Sequence, residues 1–242
     1  MKVYFFGTCL GSTVYSNALM NSIKLLQHFG VEVIYKKDQT CCGQPSYNSG
    51  FYEETKTIAL HQINLFNEPY PIVVPSGSCT GMMSHDYIDL FKGTEHEKKV
   101  EEFSKRVFDL GEFLHKELKV ELQDTGKPVK ITWHSNCHGM RIAKCTDSAK
   151  ALLRQLSNVE LIELEREDKC CGFGGTFSVK EPEISKAMVE RKIQDIVSRN
   201  VEYIIAGDAG CLLNISGAMD KMGIKIGHAH LYDFLAERTG IA

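Results

Sequence analysis

Pro71-Ile72-Val73-Val74-Pro75-Ser76-Gly77-Ser78-Cys79 returns further along the chain as Tyr203-Ile204-Ile205-Ala206-Gly207-Asp208-Ala209-Gly210-Cys211. Both are short apolar runs that pass into small residues and a cysteine, the pattern of a buried strand ending in a loop. The repetition extends in both directions. Lys2-Val3-Tyr4-Phe5-Phe6 precedes Cys9 as Val129-Lys130-Ile131-Thr132-Trp133 precedes Cys137, and Leu110-Gly111-Glu112-Phe113-Leu114 matches Leu231-Tyr232-Asp233-Phe234-Leu235. The chain therefore reads as two homologous halves, residues 1–122 and 128–242, joined through the polar stretch Gln123-Asp124-Thr125-Gly126-Lys127-Pro128.

Strands and helices alternate within each half. The first half reads as a strand over 2–6, a helix over 17–29 with Leu19, Ile23, Leu26 and Phe29 on one stripe, a strand over 31–35, a helix near 51–67 and a strand over 71–75. The second reads as a strand over 129–133, a helix near 148–157, a strand over 160–164, a helix over 184–199 and a strand over 202–206. That order implies an α/β fold of two pseudo-symmetric domains, each a small parallel sheet flanked by helices and joined by right-handed crossovers.

Composition limits the function classes. The 242 residues are 43% apolar and 24% charged, enough for a core without covalent staples. With 28 basic against 31 acidic residues the net charge is -3, which gives no attraction to nucleic acid or to an anionic membrane surface. No apolar run approaches the roughly 18 to 20 residues of a membrane span. The apolar part of Met1–Cys9 is too short for a secretory signal, so a cytoplasmic protein is expected.

Nine cysteines stand out against this ordinary background. Setting Cys145 aside as a buried small residue, they form two quartets, Cys9, Cys41, Cys42, Cys79 and Cys137, Cys170, Cys171, Cys211. Each is a single cysteine, a Cys-Cys-Gly, and another single cysteine. Every member follows a strand, and in a parallel sheet those loops share one edge, so each quartet converges on one site. In a reducing compartment such a set holds metal rather than disulfides. Structural zinc prefers C-x-x-C pairs, which are absent, and adjacent cysteines suit a cluster offering several irons. Zinc in one or both sites, and a redox-disulfide use, are the alternatives.

Thr40-Cys41-Cys42-Gly43-Gln44-Pro45 and Lys169-Cys170-Cys171-Gly172-Phe173-Gly174-Gly175-Thr176-Phe177-Ser178 resemble the cysteine-rich CCG-domain family, whose members include components of heterodisulfide reductase and of glycolate oxidase. The resemblance covers essentially the whole chain. It implies two iron-sulfur clusters of the 4Fe-4S type, held by the two quartets. It also implies a cytosolic subunit of a complex oxidising L-lactate to pyruvate, partnered by a ferredoxin-like iron-sulfur subunit and a third subunit. A thiol/disulfide redox enzyme subunit and a structural metal-binding subunit are the other readings. The heterodisulfide-type sites end in C-x-x-C, whereas Met82 and Asn214 stand three residues beyond Cys79 and Cys211. Four thiolates per site suffice for a cubane, and the noncubane form stays open.

Trp133-His134-Ser135-Asn136-Cys137-His138-Gly139-Met140-Arg141 sets two histidines and an arginine around one presumed ligand. Oxidation of a 2-hydroxy acid needs a base for the hydroxyl and a cation for the carboxylate, so His138 or His134 with Arg141 are candidate catalytic residues. Support of the cluster is the other use of these side chains. The glycines of Gly172–Gly175 suit close backbone approach to a cluster and do not form a dinucleotide loop. Neither a Walker A nor a flavin motif is present. His228 and His230 are expected to begin the last helix without acting as ligands.

Overall fold

The computed structural model describes residues 1–242. Its first four strands are β1 (Lys2–Phe5), β2 (Glu32–Tyr35), β3 (Ile72–Val74) and β4 (Val107–Asp109), and the second four are β5 (Val129–His134), β6 (Val159–Leu161), β7 (Tyr203–Ala206) and β8 (Gly227–His230). They form two sheets, ordered β2-β1-β3-β4 and β6-β5-β7-β8, and every pairing is parallel. Phe5 pairs with Val73 and, in the second sheet, Trp133 with Ile205. The expected α/β fold of two repeated parallel sheets flanked by helices is what the structure shows.

Burial explains the strand sequences. Val3 and Phe5 face one apolar cluster while Tyr4 and Phe6 face another, the period of two that a strand imposes. Both faces of β1 are covered, so its sequence is a continuous apolar run rather than an alternation. The largest cluster draws Val3, Phe5, Leu25 and Leu114 from one half and Ile131, Trp133, Leu152 and Leu235 from the other. One apolar layer therefore joins the two sheets. The helices Ser16–His28 and Leu231–Thr239 pack together over it, and Asn21 Nδ2 donates to Asp233 Oδ1 at 2.8 Å. No helix is long and apolar enough to cross a membrane.

Two features differ from the sequence reading. Each sheet has a fourth strand, β4 or β8, too short and too polar to stand out as a periodic run. His228 and His230 accordingly lie in β8, and the last helix starts only at Leu231. The sequence also hides short helices that begin at or just before the single cysteines, Cys9–Val14, Gly77–Gly81 and Cys137–Arg141.

Candidate metal centre

In both sheets the order reverses between the two central strands, which opens a crevice at their C-terminal ends. Cys9 follows β1, Cys79 follows β3, and the Cys41-Cys42 loop follows β2; Cys137, Cys211 and Cys170-Cys171 occupy the matching places after β5, β7 and β6. The helix starts fix the single cysteines. Thr8 caps the helix that opens with Cys9, its Oγ1 accepting from Gly11 N at 3.2 Å, and Asn136 caps the one that opens with Cys137. Ser76 and Asp208 cap the helices carrying Cys79 and Cys211 in their third positions. Each cap side chain accepts an N–H that the first helical turn leaves free.

Glycine fixes the pairs. Gly43 and Gly172 take φ of +87° and +85°, and a Cβ on Gly172 would stand 2.7 Å from Ser185 O. The carbonyl of the second cysteine in each pair is tied down, Cys42 O by Tyr87 Oη at 2.7 Å and Cys171 O by Asn214 Nδ2 at 2.8 Å. Buried Lys192 donates to Arg166 O at 2.7 Å, anchoring the loop that leads to Cys170.

All eight cysteines line one cavity of about 130 Å³, together with Thr8, Gln44, Pro45, His138, Phe173 and Asp208. The two quartets thus face a common space on the line between the halves. Gly77 packs on Asn136 and Gly139 of the other half so closely that a Cβ there would lie 2.9 Å from Gly139 Cα. Asp208 Oδ2 accepts from Ser76 Oγ at 2.9 Å, from Ser78 N at 3.3 Å and from Ser78 Oγ. Ser49 Oγ and Thr176 Oγ1, 2.9 Å apart, link the two Cys-Cys-Gly loops.

The thiols are free and packed against one another. Cys9 Sγ lies 3.7 Å from Cys41 Sγ, and Cys42 Sγ lies 3.4 Å from Cys79 Sγ. Hydrogen bonds from Cys42 and Cys9 draw Cys41 down to about 3, and those from Cys137 and Cys171 draw Cys170 down to about 2. Their neighbours move the other way. Cys9 and Cys42 are pushed up by the Cys41 thiolate, and Cys137 and Cys171 by the Cys170 thiolate. Four soft donors at such separations repel when ionised, and a cation among them removes that conflict. The donor set fits a thiolate-bound metal or cluster in each quartet.

The histidines and arginine are placed differently from one another. His138 lines the cavity and its Nε2 lies 3.0 Å from Asp86 Oδ2 in the other half. Arg141 is turned out toward Asp168 O, to which its Nη2 donates at 3.1 Å, and it does not line the cavity. His134 lies buried behind the second quartet with neither ring nitrogen hydrogen-bonded. Burial, with Lys192 nearby, depresses it to about 4, so the ring is neutral. Cys145 is buried beside Gly139 O, away from both quartets. Asp208, Asp86 and Lys192 were not among the residues the sequence singled out. Only Asp208 carried a signal, an N-cap residue type three places before a cysteine.

Two repeated parallel units whose strand-end loops bring eight free cysteines to one cavity define a tandem cysteine-rich α/β protein. The chain belongs to the CCG cysteine-rich domain family, whose model matches residues 3–84 and 131–216. It is 39% identical to lactate utilization protein A of Shouchella clausii over 236 residues, 97% of this chain and 98% of the relative. It is 38% identical to lactate utilization protein A of Halalkalibacterium halodurans over 242 residues, 99% of each. Among solved structures a hypothetical protein from Helicobacter pylori shares the fold, with a TM-score of 0.64 at 10% identity. It aligns with 99% of this chain, which spans about half (49%) of that one.

Proposed function

We propose that the chain is an iron-sulfur subunit of a multi-protein assembly that oxidises L-lactate to pyruvate. The observation that carries this reading is the convergence of two thiol quartets on one cavity in a chain matched nearly end to end by relatives named for lactate utilization. Cys9, Cys41, Cys42 and Cys79 would hold one 4Fe-4S cluster, and Cys137, Cys170, Cys171 and Cys211 the other. Such a cluster takes up or gives up one electron.

The residues around the thiols suit a carrier. The capping side chains and glycine turns hold the donors in place without the substrate, and the cross-half bonds of Asp208 keep the two quartets at a fixed separation. His138, paired with Asp86, is the cavity histidine placed to hold or move a proton there. Arg141 faces away and serves the Asp168 loop. With no nicotinamide or flavin motif, the chain needs a ferredoxin-like iron-sulfur subunit and a third subunit to complete the two-electron oxidation.

Anaerobic purification with iron, sulfide and zinc analysis tests the reading. About eight irons per chain are expected, falling to about four in Cys42→Ser and likewise to about four in Cys171→Ser. The reconstituted assembly should reduce an acceptor with lactate only when this chain is present, and the isolated chain should not. Stoichiometric zinc without sulfide, or full activity of the assembly without the chain, would overturn it.

A further inference from the structure

We infer that His134 is a direct metal ligand of the second site, a nitrogen donor that the first site lacks. The inference rests on the reading of the second quartet as an iron-sulfur site. His134 closes β5, is 1% exposed, and has no hydrogen-bond partner at either ring nitrogen. A buried imidazole left so is rare, because an unpaired polar group away from water is costly. A ligand atom of His134 lies within 4.8 Å of Cys171 Sγ and Cys211 Sγ, and those two sulfurs are equally close to each other. Donors to one tetrahedral metal stand roughly 3.5 to 3.8 Å apart, so three atoms within 4.8 Å of one another reach one metal with a shift of at most about an ångström.

The pseudo-symmetric half supplies the control. Counting back three residues from the first cysteine of each quartet gives His134 in one half and Phe6 in the other. Phe6 is fully buried and packs its ring 6.0 Å from that of Phe66. The scaffold therefore accepts an apolar ring at this place, and packing alone does not call for the imidazole. No group in the second half's interior takes its nitrogens. The thiols of Cys171 and Cys211 are the functional atoms it faces.

The second site then has five donors to the first site's four, one more than a cubane's four irons take, which favours the noncubane form there. His134 adds a neutral nitrogen donor and displaces no thiolate, so the two sites differ in ligation and therefore in potential. His134 thus makes the two sites unequal as electron carriers.

Pulsed EPR on the reduced, cluster-loaded protein, grown with 14N- or 15N-histidine, tests this. A strong histidine-nitrogen coupling is expected in the native chain, persisting in Cys42→Ser and His138→Gln and vanishing in Cys171→Ser. His134→Phe, which copies the first half, should keep its iron and sulfide, lose the coupling, and titrate at a shifted potential at the second site. The cysteine and His138→Gln variants answer the question even where His134→Phe fails to accumulate. Clusters present without histidine coupling, or a coupling that survives His134→Phe, would overturn the ligand and leave the iron-sulfur reading standing. Protein without iron and sulfide would overturn both.

Discussion

Asp208 sits where the halves meet the site. One carboxylate oxygen caps the helix bearing Cys211, accepting from its N–H at 3.4 Å, and the other takes the hydroxyls of Ser76 and Ser78 from the opposite half. Removing it leaves two hydroxyls and two first-turn N–H groups, those of Cys211 and Ser78, without their acceptor. Asp208→Ala should therefore destabilise the metal-free, reduced chain by about 2–3 kcal/mol, with Asp208→Asn losing about half of that. Urea unfolding measures both, and an unchanged midpoint in Asp208→Ala would show the bonds to contribute nothing net. At this scale the sequence was informative about the thiols and poor about what surrounds them. Cys-Cys-Gly and the single cysteines are recognisable as types in a pattern. Asp208, Ser76 and Asp86 act across the seam between halves, and nothing local in the chain tells which far residue will face them. His134 stands in the sequence as a candidate catalytic residue beside a presumed ligand, yet its burial behind Cys171 and Cys211 depends on how β5 is covered.

The strands β1, β3, β5 and β7 were legible because central strands of a parallel sheet are nearly all apolar, and β4 and β8 were not because Val107-Phe108-Asp109 and Gly227-His228-Ala229-His230 carry too few apolar residues to form a run. Those two short strands end at matching places, Asp109 and His230, each the residue before a helix. Burial acts on the pair in opposite senses. It raises Asp109 to about 7 from the ~3.9 of an unfolded chain and lowers His230 to about 4 from ~6.5. The folded state holds a proton on Asp109 that the unfolded chain has released, so this group's contribution is full below about pH 4 and is lost as pH rises through 7. His230 contributes fully above about pH 6.5 and loses its share as pH falls through 4. Asp109→Asn, which keeps the acceptor for Gly111 N (2.9 Å) without the charge, should gain stability relative to the native chain between pH 4 and 7 and hold a constant difference above about pH 8. Urea midpoints of the metal-free proteins at unit pH steps check this; parallel profiles from pH 4 to 8 would show that Asp109 titrates as it does in the unfolded chain.

The two halves share one interior, which the repeat in the sequence does not reveal. A run such as Val3-Tyr4-Phe5-Phe6 shows that both faces of a strand are covered, and says nothing about what covers each. In the structure Val3 and Phe5 belong to one apolar cluster with residues of the second half, and Gly111 N donates to Tyr232 Oη at 2.9 Å across the same boundary. Folding either half alone would leave that apolar layer in water. The single tryptophan, Trp133, lies in it on the second half's side, and Leu25, fully buried, lies in it on the first half's side. Leu25→Ala should cost about 2–5 kcal/mol, the range for truncating a buried leucine. If the shared layer makes unfolding a single transition, that loss will move the tryptophan fluorescence midpoint in urea as far as the far-UV circular dichroism midpoint, although Trp133 belongs to the other half. Independent halves would behave otherwise: the fluorescence transition would stay where it was, and the dichroism curve would split into two steps.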